Sequence, residues 1–339
     1  MRVIQLEGSF GIDHLRDRDL PIPDPGPGEV LLRMRAASLN YRDLLMIRGR
    51  YNPNQELPLI PLSDGVGVVE KLGSEVRGLS AGDRVCPHLL PLWGGGEPTR
   101  AGLRTGLGGP LPGVLSEFCL ARPEHVVKAP ENLDDVEAST LPCAGLTAWS
   151  ALVELGAIRA GDTVLVQGTG GVAIFALQFA KLCGARVIVT SRSPDKLARA
   201  EQLGADHGIL GTDAPWGELA WKWTGGRGVD HVIEVGGAGS MAQSLRAVRP
   251  GGTVSVIGVL GGTRAALDVL PILMNQVRVQ GVFCGHRQGF EAMNRALVAA
   301  RIQPVVDRVF PFSATGLTDA LEYLESGRHF GKIALRMGD

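Results

Sequence analysis

Residues 162–173 read DTVLVQGTGGVA, and few stretches leave a chain so little choice of fold. Thr163–Gln167 is a β-branched, apolar run of the length of one buried parallel strand. It breaks at Gly168-Thr169-Gly170-Gly171-Val172-Ala173 and continues as an apolar helix, IFALQFAKLCG, closed by Gly184. Gly168, Gly170 and Ala173 fill the three small positions of a G-x-G-x-x-G/A turn. The first makes the tight bend, the second lets backbone approach a pyrophosphate, and the third packs helix against strand. Thr169, Gly171 and Val172 lie between them, at a helix N-terminus whose free N–H groups and positive dipole end favour phosphate. A second strand at 186–190 follows, so the turn sits in the βαβ setting that dinucleotide binding requires.

After that turn strands alternate with helices through residue 283: strands at 207–210, 230–235, 253–257 and 277–283, helices at 194–203, 216–223, 240–248 and 267–275. Six buried strands separated by helices make a doubly wound parallel sheet. The first 125 residues differ: strands at 3–6, 29–37, 63–72, 84 onward, 115–121 and 125–128, a short helix at 41–48, and many Pro and Gly breaks. Residues 88–113 are too glycine-rich for a regular element and are expected to form a functional loop or lid. A helix at 134–141, resumed at 147–155, leads into the glycine turn. The tail returns to strand at 305–310 and 332–336 around a helix at 315–325. The length of 339 residues suits two domains, 1–125 with 303–339 and 126–302.

A net charge of -1 argues against a phosphate-backbone binder, so no nucleic-acid partner is expected. No uncharged apolar run reaches the ~18–20 residues of a membrane span, and the N-terminus does not read as a signal peptide. The five cysteines are scattered with no C-x-x-C pair, which suits reduced thiols and a cytoplasmic location.

Cofactor choice is legible at the end of the second strand. An Asp or Glu about 20 residues after the turn would hold the ribose hydroxyls of NAD. Here the strand ends Thr190-Ser191-Arg192-Ser193, and Lys196 follows. A carboxylate would repel a 2′-phosphate, whereas Ser191, Arg192 and Lys196 would bind it, so NADP(H) is expected.

A β-rich domain, a Rossmann domain and a β tail together resemble the medium-chain dehydrogenase/reductase superfamily over essentially the whole chain. The resemblance rests on Ala37-Ser38-Leu39-Asn40-Tyr41-Arg42-Asp43, Arg48-Gly49-Arg50-Tyr51, Ser63-Asp64-Gly65-Val66-Gly67, Ala81-Gly82-Asp83-Arg84-Val85, Leu146-Thr147-Ala148 and the glycine turn. It implies an α/β fold with a GroES-like β-rich catalytic domain beside the doubly wound Rossmann domain. The Asn-Tyr-x-Asp and Arg-Gly-x-Tyr pattern resembles the zinc-independent quinone-oxidoreductase branch. Zinc members carry Cys where Asn40 stands, His-Glu where Ser63-Asp64 stand, and Cys at Cys143. A catalytic zinc takes three good protein ligands, so no metal is expected here.

The resemblance places Asn40, Tyr41, Tyr51, Ser63 and Asp64 around a cleft between the domains, with Thr147, Gly236 and Val259 along the nicotinamide half of the cofactor. An amide such as Asn40 can donate to the acceptor oxygen. A phenol such as Tyr51, with a lowered pKa, can also deliver a proton, with Tyr41 as the fallback. Asp43 is expected to pair with an arginine, His88 to be solvated. The implied activity is NADPH-dependent hydride transfer to a quinone, enone or similar small carbonyl acceptor. Two alternatives stay open: an alcohol dehydrogenase or aldehyde reductase of the same fold, and an NADPH-binding protein with little turnover. The run VRVQGVF at 277–283 would be a bare edge strand, so a homodimer joined there is expected.

Overall fold

Thr163–Gln167 is a strand buried along its whole length, because its β-branched and aliphatic side chains meet helices on both faces of a sheet. In a computed structural model that describes residues 1–211 and 214–338, it lies inside a six-stranded sheet. The strand order is His207–Leu210, Arg186–Ser191, Thr163–Gln167, Val229–Glu234, Val248–Val256, Arg278–Gly281, every neighbouring pair parallel. The chain starts inside the sheet, winds one way and then the other, so the order reverses between Thr163–Gln167 and Val229–Glu234. The four central strands are buried as expected. The two outer ones are not: Arg278–Gly281 is mostly exposed and His207–Leu210 half so, since each has a neighbour on one side only.

The chain divides into two compact units, Met1–Leu146 with His286–Asp339, and Thr147–Gly285. We expected boundaries at 125/126 and 302/303. The helices Asp135–Ala138 and Arg287–Ala300 account for the difference, because both attach to strands of the first unit. Asp135 pairs with Arg84 at 2.8 Å, Arg287 Nε donates to Val126 O at 3.1 Å, and Asn294 Nδ2 donates to Lys128 O at 3.0 Å. The helix Arg287–Ala300 was not expected. His286 caps it, its Nδ1 accepting from Gly289 N at 2.8 Å. Asp339, the end of the expected tail, lies outside the described residues.

The first unit is organised on a seven-stranded sheet. Val306–Pro311, Lys332–Arg336, Val30–Ser38, Asp64–Leu72, Arg84–Pro87 and Val126–Lys128 follow one another across it, and Phe118–Ala121 also pairs with Val30–Ser38. Its core is aliphatic, built from Ile4, Leu32, Leu44, Ile47, Leu62 and Leu317 among others. A separate strand pair, Arg2–Leu6 with Leu15–Asp19, adds a hairpin whose second member is almost wholly exposed. Residues 88–113 form irregular chain with one short turn at Gly102–Arg104. The loop is not loose at its start: His88 is buried with its Nδ1 2.7 Å from Leu90 O, not solvated as expected. No helix among the described residues is long and apolar enough to cross a membrane.

One carboxylate ties the second unit together at the amino ends of its central strands. Asp230 accepts from Thr163 N at 2.8 Å, from Arg227 at 2.9 and 2.8 Å, and from Arg249 at 2.6 Å. These donors outweigh its burial and hold its pKa down at about 2. A native pKa below the unfolded value means that the unfolded chain binds the proton more readily. The stabilisation is therefore complete above about pH 4 and is lost as pH falls through about 2, with a size of about 2 kcal/mol. Asp230→Asn should lower the urea-unfolding free energy by about that much near pH 7, the gap narrowing as the pH falls toward 2. A gap that is the same at both ends of that range would show that the charge contributes nothing.

Candidate active site

The second unit carries the expected cofactor residues at the carboxyl edge of its parallel strands. Gly168 turns with φ +72°, a region open to glycine, and its N–H donates to Thr190 O at 2.9 Å. The helix Gly171–Leu182 then starts from Gly170 with no side chain capping it, which leaves its first-turn N–H groups facing outward. Gln167 pairs with Thr190 across the strands, so Ser191 and Arg192 emerge beside the Gly168 turn. Ser191 Oγ accepts from Ser193 N at 3.2 Å and Ser193 Oγ from Lys196 N at 3.4 Å, so both hydroxyl protons are left to donate outward. Arg192 is exposed and makes no ion pair among the described residues. This arrangement fits a phosphate-bearing dinucleotide: a glycine turn, uncapped helix N–H groups, and hydroxyls with a guanidinium in place of an acid.

Where the strand order reverses, a buried carboxylate organises the neighbouring loop. Glu234 accepts from Gly236 N at 2.7 Å, Gly237 N at 2.9 Å, Ser240 Oγ at 2.6 Å and Gln167 Nε2 at 2.7 Å. Gln167 Oε1 in turn accepts from Val235 N and Gly236 N, both at 3.2 Å. Gly237, at φ +79°, packs so closely that a Cβ there would lie 2.8 Å from Val259 Cα. Gly236 and Val259 are thus brought to one edge. Thr147 is buried in the turn Leu146–Trp149. The roles of Gln167 and Glu234 were missed: a Gln and a Glu at strand ends read as ordinary polar termini.

The first unit carries the residues expected to act on the acceptor. Asn40 opens the helix Tyr41–Ile47, its N–H donating to Asp43 Oδ2 at 2.8 Å. Register sets Ser38 opposite Asp64. Asp64 is fully buried and accepts from Ser63 Oγ at 2.9 Å and Cys143 N at 3.3 Å. Cys143 rides on the widened π-type turn Leu141–Gly145, a distortion often found at functional sites. Just before Ser63, Leu62 is buried at φ +64°, a strained backbone for a branched residue. Lys332, which sequence reasoning missed, completes the group. Its Nζ donates to Leu39 O and to Asn40 Oδ1, both at 2.7 Å, and lies 3.5 Å from Asp64 Oδ2.

Arg42 and Asp43 form the expected pair at 3.2 Å. Burial pushes Asp43 up to about 6, against the pull of Arg42. Arg42 also donates to the carbonyls of Leu107 and Gly109 at 3.0 and 3.1 Å, which fixes the far part of the 88–113 loop. Its guanidinium lies over the Tyr51 ring, 5.1 Å from the centroid. The lowered pKa expected for Tyr51 is not found: the buried part of its surroundings raises it, although Arg42 pulls the other way and 40% of the residue stays exposed. A phenol shifted upward keeps its proton at neutral pH and so has an O–H able to donate. Tyr41 is 39% exposed and makes no side-chain hydrogen bond among the described residues.

These residues do not fit a zinc ion. Asn40 Oδ1, the one atom of that side chain suited to a cation, is already taken by the Lys332 ammonium. Ser63 donates its proton to Asp64, and an ammonium inside the donor set would repel a dication. Only the Cys143 thiol is a good zinc ligand.

Comparison with known proteins gives the relationship. An alcohol dehydrogenase GroES-like domain model matches residues 26–131 and a zinc-binding dehydrogenase model matches residues 171–299. A zinc-type alcohol dehydrogenase-like protein of Schizosaccharomyces pombe is 41% identical, covering 99% of each chain. A solved structure from Sinorhizobium meliloti, described as that of an alcohol dehydrogenase, superposes with a TM-score of 0.91 at 44% identity over 99% of each chain. An NAD-dependent alcohol dehydrogenase gives 0.91 at 33% identity over 100% of each. More distant matches differ in chemistry: an acryloyl-coenzyme A reductase of Metallosphaera sedula is 31% identical over 94% of this chain and 95% of its own. A mycobacterial protein solved in complex with NADPH superposes at 0.82 with 26% identity over 99% of each. A relative so similar over its whole length, on the fold described above, makes this chain a member of the medium-chain dehydrogenase/reductase superfamily, and an NAD(P)-dependent oxidoreductase within it.

Proposed function

We propose that the chain is an NADPH-dependent reductase that works without zinc on a quinone, enone or similar small carbonyl acceptor. The observation that carries this reading is the Asn40 amide: its Oδ1 is tied to an ammonium and its buried Nδ2 has no partner among the described residues. A buried N–H₂ group left unsatisfied is costly unless a ligand oxygen meets it. The acryloyl-coenzyme A reductase among the relatives supports an activated double bond as acceptor.

When bound, NADPH would supply the hydride. Asn40 and Tyr51 hold the acceptor oxygen, where negative charge develops, and Tyr51 delivers the proton that completes the reduction, with Tyr41 as the fallback donor. Ser63 and Asp64 fix the strand beneath them. On the cofactor side Gly168, Thr169, Gly170, Gly171 and Val172 cradle the pyrophosphate, and Ser191, Arg192 and Lys196 hold the 2′-phosphate. Thr147, Gly236 and Val259 line the nicotinamide half. The relatives described as alcohol dehydrogenases favour one second reading, an aldehyde as acceptor at the same donors.

The test is NADPH oxidation across quinones, enones and aldehydes, with and without a strong chelator. The expected result is turnover with an enone or quinone that chelator leaves unchanged. Loss of activity together with about one zinc per chain would overturn the reading. In the same assay Tyr51→Phe should reduce turnover by ~10²–10⁴-fold with little change in NADPH affinity. Full turnover in that variant would remove the acid role.

The relatives include an NAD-dependent protein and one bound to NADPH, so the strand-end residues decide the preference. NADPH should bind about ten- to a hundredfold more tightly than NADH, and Arg192→Ala should erase most of that difference. Equal dissociation constants in the parent chain would refute the assignment.

The edge strand Arg278–Gly281 supports a homodimer. Val279 and Phe283 are 41% and 42% exposed, and Leu273 and Met274 beside them 72% and 70%. A two-fold partner would cover both the open strand edge and this apolar surface. Light scattering at micromolar concentration should give the dimer mass, and a monomer would sink this proposal.

A further inference from the structure

Lys332 is 2% exposed, a position that an ammonium takes only when oxygens replace its water. Three surround it: Leu39 O and Asn40 Oδ1, both at 2.7 Å, and Asp64 Oδ2 at 3.5 Å. Were its role only to neutralise Asp64, the closest contact would run between the two charges. The short bonds go instead to the neutral oxygens of Leu39 and Asn40. An ammonium can only donate, so the Asn40 atom facing it must be the oxygen. That contact removes the ambiguity usual for amides and turns Nδ2 the other way, where it is buried without a partner among the described residues.

We propose that Lys332 is a positioning residue for the reduction: its ammonium orients and polarises the Asn40 amide so that Nδ2 donates to the acceptor oxygen. The inference rests on the reading of Asn40 given under Proposed function. A fixed positive charge at Oδ1 draws electron density through the amide and makes the N–H a stronger donor. The gain is largest when negative charge arrives on the acceptor, so it acts on the rate more than on substrate affinity. Asp64 neutralises the ammonium from the other side, while Arg42 offsets Asp43 nearby, so the buried group carries two cations and two anions. The protein thereby places a buried lysine one bond network away from the reacting oxygen.

The experiment uses the full chain with NADPH and the acceptor found in the oxidation screen. The variants are Lys332→Met, Asn40→Ala, Lys332→Met with Asn40→Ala, and Lys332→Met with Asp64→Asn, the last removing both buried charges so that folding is retained. Lys332→Met should lower kcat by ~10–10²-fold with the NADPH dissociation constant unchanged, and the charge-balanced pair should show the same loss. Adding Lys332→Met to Asn40→Ala should cost nothing further, because the lysine acts through the amide. A readout without turnover is the Asn40 side-chain amide signal in ¹⁵N-asparagine-labelled protein, identified by its loss in Asn40→Ala. It should move in Lys332→Met and in the charge-balanced pair. Full kcat in the charge-balanced pair would overturn the proposal, as would losses that multiply in the Lys332–Asn40 double variant or an unmoved amide signal. Should Asn40→Ala alone keep full rate while the amide signal still moves with Lys332, the failure would lie in Asn40's role as donor, and the positioning role would fall with it.

Discussion

A lysine can be buried beneath a sheet only where the backbone delivers oxygens to it, and that requirement governs the first unit. Lys332 needs Leu39 O and the Asn40 side chain, which lie 293 and 292 residues earlier in the chain. The tail must therefore return and add the strand Lys332–Arg336 beside Val30–Ser38, in the register that sets Ala334 opposite Ser38. Asp64 enters from the other flank of the same strand, opposite Ser38. A one-residue slip on either side would turn these side chains to the opposite face and strand a charge in the core. Discontinuity of the unit in sequence follows from this chemistry.

The second unit meets a different constraint. Its four central strands are largely buried, and its two buried carboxylates sit at opposite ends of the sheet. Asp230 gathers two arginines and a backbone N–H at one end, Glu234 two backbone N–H groups, serines and Gln167 at the other. The first cluster serves stability. The second fixes the backbone of residues 235–237, the edge proposed to receive the cofactor.

Much of this was legible in the sequence because it is local. The glycine turn and the alternation of strands and helices express short-range rules of period, turn chemistry and helix start, whereas Asn40 and Ser63-Asp64 were legible only through the family resemblance. The strand Leu15–Asp19 was missed because LRDRD has no buried face to produce an alternating pattern. The helix Arg287–Ala300 was missed because its start is capped by a histidine, outside the usual set of capping residues. Lys332 was invisible for a deeper reason: nothing in GKIALRMGD shows which strand will lie beside it. The direction of the Tyr51 shift was equally hidden, since it depends on how far burial outweighs a guanidinium stacked on the ring.

The Glu234 cluster also bears on how a ligand is received. The backbone of residues 235–237 is pinned to the strand ends by Glu234 and Gln167, and the close approach of Gly237 to Val259 extends that rigidity to the adjoining loop. A molecule arriving at this edge meets a surface already in its final shape. Ordering a free loop of that size would consume several kcal/mol of binding energy at roughly 1–2 kcal/mol per residue of backbone. Here the entropy was surrendered during folding, so the contacts that the proposed dinucleotide would make with this edge would count toward affinity almost undiminished.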